Sequence, residues 1–89
     1  MRVSPVRLSA ANDDERVVDS FDALMGYTLR ALRIDKGVSL DELAFRVGMT
    51  PKILALYEEG QFRLDAERLL AMAEALKMSV ESFYASWNT

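Results

Sequence analysis

The stretch from Ser39 to Gly60 reads SLDELAFRVGMTPKILALYEEG and predicts two short helices joined by a tight turn. Ser39 is a favourable N-cap residue, and Glu42 follows it at the spacing of a capping box. Gly48 is placed to end the first helix, because glycine adopts the left-handed conformation that follows many helices. Thr50 can cap the second helix, and Gly60 can end it. Two short helices around a glycine turn are typical of a helix-turn-helix.

Apolar residues recur at helical spacing on both sides of this stretch. They predict a first helix from about residue 21 to 36, a fourth from about 66 to 77 and a fifth from about 80 to 86. Asp65 and Ser79 can cap the last two. The side chains expected to face the core are Leu29, Leu32, Leu43, Ala44, Val47, Leu54, Tyr57, Leu69, Leu70, Met72, Ala73, Leu76, Val80 and Phe83. The predicted fold is therefore all-α with five helices and no sheet.

The N-terminal end of the chain does not share this periodicity. Residues 1–15 are predicted to form a flexible tail, and residues 16–89 are assigned to a single domain, which suits a chain of 89 residues. Arg2 and Arg7 in the tail can reach a minor groove, although a solvated tail is the favoured interpretation. The start of the first helix stays open, because both Ser20 and Asp22 can serve as caps.

The composition narrows the classes of function. The chain contains no cysteine and no histidine, so it lacks disulfides, thiolate metal sites and the commonest general base. It also lacks a glycine-rich phosphate loop and a recognisable pair of catalytic carboxylates. We therefore predict neither an enzyme, a metal site nor a cofactor. No apolar run approaches the roughly 20 residues that span a bilayer, so a cytoplasmic location without membrane contact is expected.

The net charge of this chain restricts how it can bind a nucleic acid. Eleven basic residues stand against fourteen acidic ones, which gives a net charge of −3. DNA-binding proteins gain much of their affinity from cations that neutralise phosphates. A DNA-binding domain with this charge therefore has to concentrate its cations in a local patch.

Six short motifs follow one another along the chain. They are LRALR from Leu29, GVS from Gly37, ELA from Glu42, VG from Val47, EEG from Glu58 and LLAMAEAL from Leu69. In this order and spacing they resemble the phage-repressor and Cro type of helix-turn-helix domain, often called the XRE family. The resemblance covers residues 29–60 and 69–83. It implies a five-helix repressor-like domain and a transcriptional regulator of bacteria or phage.

The resemblance also implies an ion pair between the first and third helices. In the family, an arginine of the first helix often pairs with the glutamate that precedes the closing glycine of the recognition helix. Arg33 and Glu58 occupy these positions here. We interpret them as a structural pair joined by charge-assisted hydrogen bonds, with no direct part in function.

The outer side of the recognition helix departs from the family's DNA-reading pattern. Polar side chains such as Arg, Asn and Gln read base edges, but only Lys52 supplies a donor on this helix face. A leucine also replaces the glutamine that often begins the second helix in relatives. The resulting surface consists of Leu40, Pro51, Lys52, Ile53, Ala55 and Leu56. Contiguous apolar surface on a small domain marks a protein contact, unless the N-terminal segment or Phe62 covers it.

Two functional predictions fit these residues. The first is a regulator that uses this surface to bind a regulatory protein such as a transcriptional activator, as an antiactivator, antirepressor or antitoxin-like module. The alternative is a sequence-specific repressor that binds double-stranded DNA as a homodimer on a two-fold operator. Its DNA contacts would come from Arg46, Thr50, Lys52 and Arg63. A homodimer surface is also predicted at the C-terminal aromatic cluster of Phe83, Tyr84 and Trp87.

Overall fold

The computed structural model describes residues 20–87, with the exception of the Trp87 side chain. This part of the chain forms five helices and contains no strand. The helices are α1 (Ser20–Asp35), α2 (Leu40–Val47), α3 (Pro51–Glu58), α4 (Ala66–Ala75) and α5 (Val80–Trp87). The prediction of an all-α, five-helix fold is confirmed. The predicted tail, residues 1–15, lies outside the described residues, as do Arg2 and Arg7.

Side-chain caps fix the starts of four helices. A side-chain oxygen of each capping residue accepts a hydrogen bond from the backbone N–H three residues later, at 2.9–3.2 Å. These residues are Ser39, Thr50, Asp65 and Ser79. Each cap satisfies one of the donors that the first helical turn leaves open, which explains why sequence alone located these starts. The capping box is only half formed, because the Glu42 carboxylate pairs with Arg46 instead.

The C-terminal end of α4 differs from the prediction. The helix ends at Ala75, and Lys77 adopts a left-handed conformation with φ +60°. The N–H of Met78 then donates to the carbonyl of Ala73 at 3.0 Å, which closes the helix end. Glycine usually occupies such a position, so a lysine there gave no signal in the sequence.

The five helices enclose one hydrophobic core. Its largest fully buried side chains are Met25, Leu29, Leu43, Leu54, Met72, Leu76 and Phe83. The prediction for Leu70 was wrong, because 48% of this side chain is exposed. Leu69 takes the inward position on α4, and the next residue is rotated by about 100° toward solvent.

α1 and the end of α3 approach each other closely at Gly26. A Cβ atom built on Gly26 would lie 2.7 Å from the carbonyl oxygen of Glu58 and 2.9 Å from its carbonyl carbon. Such distances overlap with backbone atoms, so no other residue fits without a shift of one helix. Gly26 had no assigned role in the sequence analysis. A glycine inside a helix lowers helix stability, and this cost is itself a signal of close packing.

Arg33 and Glu58 join the same two helices by an ion pair. Arg33 Nε donates to Glu58 Oε2 at 2.7 Å, and Nη2 donates to Oε1 at 3.1 Å. The remaining guanidinium nitrogen, Nη1, donates to the carbonyl of Val38 at 2.9 Å. Only 10% of the arginine side chain and 4% of the glutamate side chain are exposed. The pair therefore fixes α3, and the loop after α1, against the first helix.

Candidate functional site

α2 and α3 are joined by a three-residue turn that sets the direction of α3. Gly48 adopts φ +74° and ψ +32°, and a Cβ atom there would be strained by this conformation. The N–H of Met49 donates to the carbonyl of Ala44 at 2.9 Å, which closes the end of α2. Val47 and Met49 pack against the core on either side of the glycine. The apolar side chains of Val47 and Met49 thus hold the turn against the core. The N-terminal end of α3 lies at the surface.

The first turn of α3 faces solvent, and its second half faces the core. Leu54, Tyr57 and Glu58 are buried. The exposed residues are Pro51, Lys52 and Ile53. Because inward residues occur three and four positions apart, an eight-residue helix has room for only a short exposed segment.

The predicted apolar contact surface is smaller in the structure than in the sequence analysis. Leu40 is half-buried and packs against the core. Ala55 and Leu56 are also half-buried, because they flank the inward side of α3. Of the apolar residues in the predicted set, only Pro51 and Ile53 are exposed, and Ile53 only to 37%. The six residues therefore do not form one open apolar face.

Phe62, which the sequence analysis offered as cover for this face, has another contact. Its ring packs edge-on against Tyr57, with ring centroids 5.3 Å apart. The side chain of Phe62 is itself 40% exposed. The loop after α3 therefore extends the core around Tyr57.

Arg46, one of the predicted DNA contacts, forms its hydrogen bonds within the domain. Its Nη1 donates to the carbonyl of Ala75 at 2.8 Å, and its Nη2 pairs with Glu42. The bond to Ala75 holds α2 against the C-terminal end of α4, whereas the pair with Glu42 lies within α2. Sequence reasoning missed this role because Ala75 lies 29 residues further along the chain.

The other three predicted DNA contacts differ in their exposure and in whether they have a hydrogen-bond or ionic partner. Lys52 is exposed and pairs with no group in residues 20–87. Thr50 accepts the capping bond from Ile53 at 3.2 Å and is exposed at the start of α3. Arg63 Nε lies 3.7 Å from Asp22 Oδ1, but 73% of the Arg63 side chain is exposed. Thr50 and Lys52 thus both lie at the exposed start of α3, and Arg63 lies on the loop that follows this helix.

The electrostatics of this helix end are distinct from those of the other helix starts. Within residues 20–87, α3 alone has no acidic residue in its first turn. The start of a helix carries a partial positive charge, which acidic side chains compensate elsewhere in the domain. At α3 this partial charge is reinforced by Lys52. The arrangement is suited to an anion such as a phosphate group.

A groove of about 550 Å³ lies between α3 and α4. It is lined by Val47, Gly48, Met49, Thr50, Ile53, Tyr57, Glu67, Arg68, Ala71 and Met72. Its α4 wall carries one acidic and one basic residue, and Arg68 extends over the ring of Tyr57 at 6.0 Å from the centroid. The α4 wall of the groove therefore carries no net charge, and the groove lies between the start of α3 and α4.

Phe45 is the most exposed large apolar residue of the described chain, at 87%. It lies on α2, next to Arg46, and the sequence analysis assigned it no role. A signal was present, because Phe45 follows the buried Leu43 and Ala44 and must therefore point away from the core.

One of the three C-terminal aromatic residues predicted to form a dimer surface lies in the core. Phe83 is fully buried in the core, whereas Tyr84 is 40% exposed. Their rings meet edge-on, with centroids 6.4 Å apart. The side chain of Trp87 lies outside the described residues. Phe83 is thus unavailable for the predicted dimer contact, because it fills the space between α5 and the rest of the domain.

Residues 20–87 contain no group of three or more metal-binding side chains of the His, Cys, Asp and Glu types. No helix in the same range has the length and apolarity needed to cross a bilayer.

Comparison with known proteins links this geometry to a group of regulators. A family model described as helix-turn-helix matches residues 29–83. An uncharacterized HTH-type transcriptional regulator of Rickettsia prowazekii is 31% identical over 68 residues, which are 76% of this chain and 52% of the relative. The chain therefore spans about half the length of that relative.

Two solved structures share the fold. The clp gene regulator ClgR of Corynebacterium glutamicum superimposes with a TM-score of 0.72 at 31% identity, over 83% of this chain and 92% of the other. The restriction-modification controller protein C.AhdI of Aeromonas hydrophila gives a TM-score of 0.68 at 29% identity, over 73% of this chain and 98% of the other.

Proposed function

The chain belongs to the XRE family of helix-turn-helix proteins, and on that premise we propose that it is a transcriptional regulator that binds double-stranded DNA through α3. The names of its relatives support this proposal. They describe an HTH-type transcriptional regulator, a regulator of clp genes and a controller of a restriction-modification system. These names favour the DNA-binding alternative over the protein contact that the sequence analysis placed first.

The exposed first turn of α3 is the observation that carries the proposal. It presents Thr50 and Lys52 at a helix start that has no acidic residue. A duplex carries a phosphate charge about every 1.7 Å along its axis, so even a small cationic helix end gains from contact with it. Such a local patch allows a chain with a net charge of −3 to bind the phosphates of DNA.

The side chains of the site take different roles in this proposal. The ammonium group of Lys52 binds a phosphate or a guanine edge, and the exposed methyl groups of Ile53 contact a thymine methyl. Arg63 contacts the backbone from the loop after α3. Arg46 positions α2 through its bond to Ala75 and does not itself contact DNA. With so few polar readers in one copy, sequence specificity requires two copies on a two-fold operator.

The test is the selection of duplexes from a random-sequence DNA pool, followed by fluorescence anisotropy on the selected duplex at several salt concentrations. We expect Lys52→Gln to weaken binding and to reduce the slope of log K against log salt by about 1. Lys36→Gln is the matched control, because Lys36 is also exposed and unpaired within residues 20–87 but lies beyond the far end of α1. Selection of no duplex at low salt, or equal effects of the two variants, would refute the assignment.

Protein contact is retained as a second candidate because of one observation. Lys52 is the only basic residue of α3, and the exposed Ile53 stands beside it. The substitution Ile53→Arg separates the two functions. It adds a cation that strengthens DNA binding at low salt if α3 meets phosphate. If α3 binds a protein instead, wild-type protein retains a partner from a bacterial lysate that the Ile53→Arg variant loses, and neither form selects DNA.

A further inference from the structure

The accessible part of α3 offers apolar groups where base edges are usually read by hydrogen bonds. The residues of this helix that are not buried are Pro51, Lys52, Ile53, Ala55 and Leu56. Among their side chains, only the ammonium group of Lys52 can donate a hydrogen bond to a base edge. Hydrogen bonds from this helix therefore distinguish few positions of an operator.

Ile53 continues into further apolar surface on the side of the helix next to Lys52. Its side chain is 37% exposed and lines the groove between α3 and α4 together with Val47, Met49 and Met72. Val47 and Met49 are half-buried, and Met72 is fully buried at the base of this apolar lining. A small apolar group that contacts Ile53 here is removed from water, which favours the contact.

The major groove of a duplex presents one kind of apolar group that such a surface can recognise. It is the C5-methyl group of thymine, and 5-methylcytosine carries a methyl group on the same ring atom. Uracil and unmodified cytosine have a hydrogen atom at this position. Burial of one methyl group in an apolar contact strengthens binding by about fourfold, so a methyl contact is large enough to select a base.

We propose that Ile53 is a specificity-determining residue that recognises the C5-methyl group of a pyrimidine at one position of each half-site. This group comes from thymine in an A·T pair or from 5-methylcytosine in a G·C pair, and Ile53 does not distinguish the two sources. Lys52, the preceding residue, contacts a phosphate or a guanine edge. This role of Ile53 rests on the proposed function, because it requires that α3 binds DNA.

Four duplexes that differ at a single pyrimidine of each half-site test this contact. In a duplex selected from the random pool, the pyrimidine is thymine, uracil, 5-methylcytosine or cytosine, with the matching purine opposite, and each pyrimidine position is varied in turn. At one position, we expect fluorescence anisotropy to show about fourfold tighter binding per methylated half-site, or about 15-fold for both. The factor should be the same within the thymine–uracil pair and the 5-methylcytosine–cytosine pair, because the methyl group is their shared difference.

Variants of the full chain assign the methyl preference to one side chain. Ile53→Ala should bind the methylated and unmethylated duplexes with nearly equal affinity, whereas Ile53→Val removes only the terminal methyl group and should retain part of the preference. Ile34→Ala is the matched control, because it removes the same side chain from an exposed position of α1 and should keep the full preference. Circular dichroism verifies that each variant keeps the fold.

Several results would overturn this role of Ile53 and leave the DNA contact of α3 intact, provided that binding still depends on Lys52. They are equal binding of all four duplexes at every position, a preference for thymine without one for 5-methylcytosine, and a preference that is lost in Pro51→Ala but not in Ile53→Ala. A methyl preference that Ile53→Ala retains in full would also do so, because it would come from the shape or stiffness of the DNA. Selection of no duplex would overturn the proposed function, and the role of Ile53 with it.

Discussion

Removal of the Glu58 carboxylate should have a large effect on stability. We expect Glu58→Ala to lower the free energy of unfolding by about 3–5 kcal/mol. The variant deprives Arg33 of two hydrogen bonds and leaves its guanidinium with only the carbonyl of Val38. Because only 10% of the Arg33 side chain is exposed, water cannot replace the lost carboxylate.

The size of this loss can be judged against the stability of the whole domain. Small domains unfold with about 5–15 kcal/mol in total, so the variant removes a substantial fraction. A change of 1 kcal/mol shifts the melting temperature of a domain of this size by about 4–8 °C. The melting temperature of Glu58→Ala should therefore fall by about 12 °C or more.

Urea unfolding followed by circular dichroism measures the effect, and Arg63→Ala is the control. Arg63 also faces a carboxylate, but at 3.7 Å and with 73% of its side chain exposed, so its loss should cost less than about 1 kcal/mol. The double variant Arg33→Met with Glu58→Leu replaces both charges by apolar side chains and should recover much of the lost stability.

Two results would contradict this reasoning. If Glu58→Ala is as stable as Arg63→Ala, the buried position of the pair has no energetic consequence. If the double variant is no more stable than Glu58→Ala, an unpaired guanidinium is not the cause of the loss.

Two further substitutions test the backbone of the fold. Gly26→Ala should destabilise the domain by about 1–3 kcal/mol or more, because the new methyl group overlaps the backbone of Glu58; a variant that unfolds at the wild-type urea concentration would contradict the close approach of α1 and α3. Lys77→Gly should stabilise by up to about 1 kcal/mol, because it relieves a left-handed lysine at φ +60°. In the control Lys52→Gly, within α3, glycine should instead cost about 0.5–1 kcal/mol, and equal signs for the two lysine variants would exclude a conformational cause.

Leu40 and Leu56 are less exposed than their sequence positions predicted. Both were assigned to the outer surface because they stand where relatives often carry the polar residues that contact DNA. In the structure both are half-buried, since the flanks of a short helix are covered by neighbouring elements. The exposure of Lys52 was easier to predict, because a lysine at the start of a helix seldom has a buried environment to enter.

The outer side of α1 shows the same limit from the opposite direction. From this helix, only Leu29 and Leu32 were predicted to face the core. The core uses Met25 and Leu29, and the apolar residues Leu24, Tyr27 and Ile34 remain at the surface. A helix with apolar residues on more than one side has a pattern that several orientations satisfy.

The sequence by itself determined the number of helices, the starts of α2 to α5 and the turn between α2 and α3. These features depend on groups three or four residues apart, such as the capping bonds of Ser39 and Thr50, and so they are written in short motifs. Only the tertiary structure decided which cations are available. Arg46 is bound to a carbonyl 29 residues away, and Arg33 to a carboxylate 25 residues away, whereas Lys52 remains exposed. Such partners are brought together by the packing of whole helices, which local spacing does not specify.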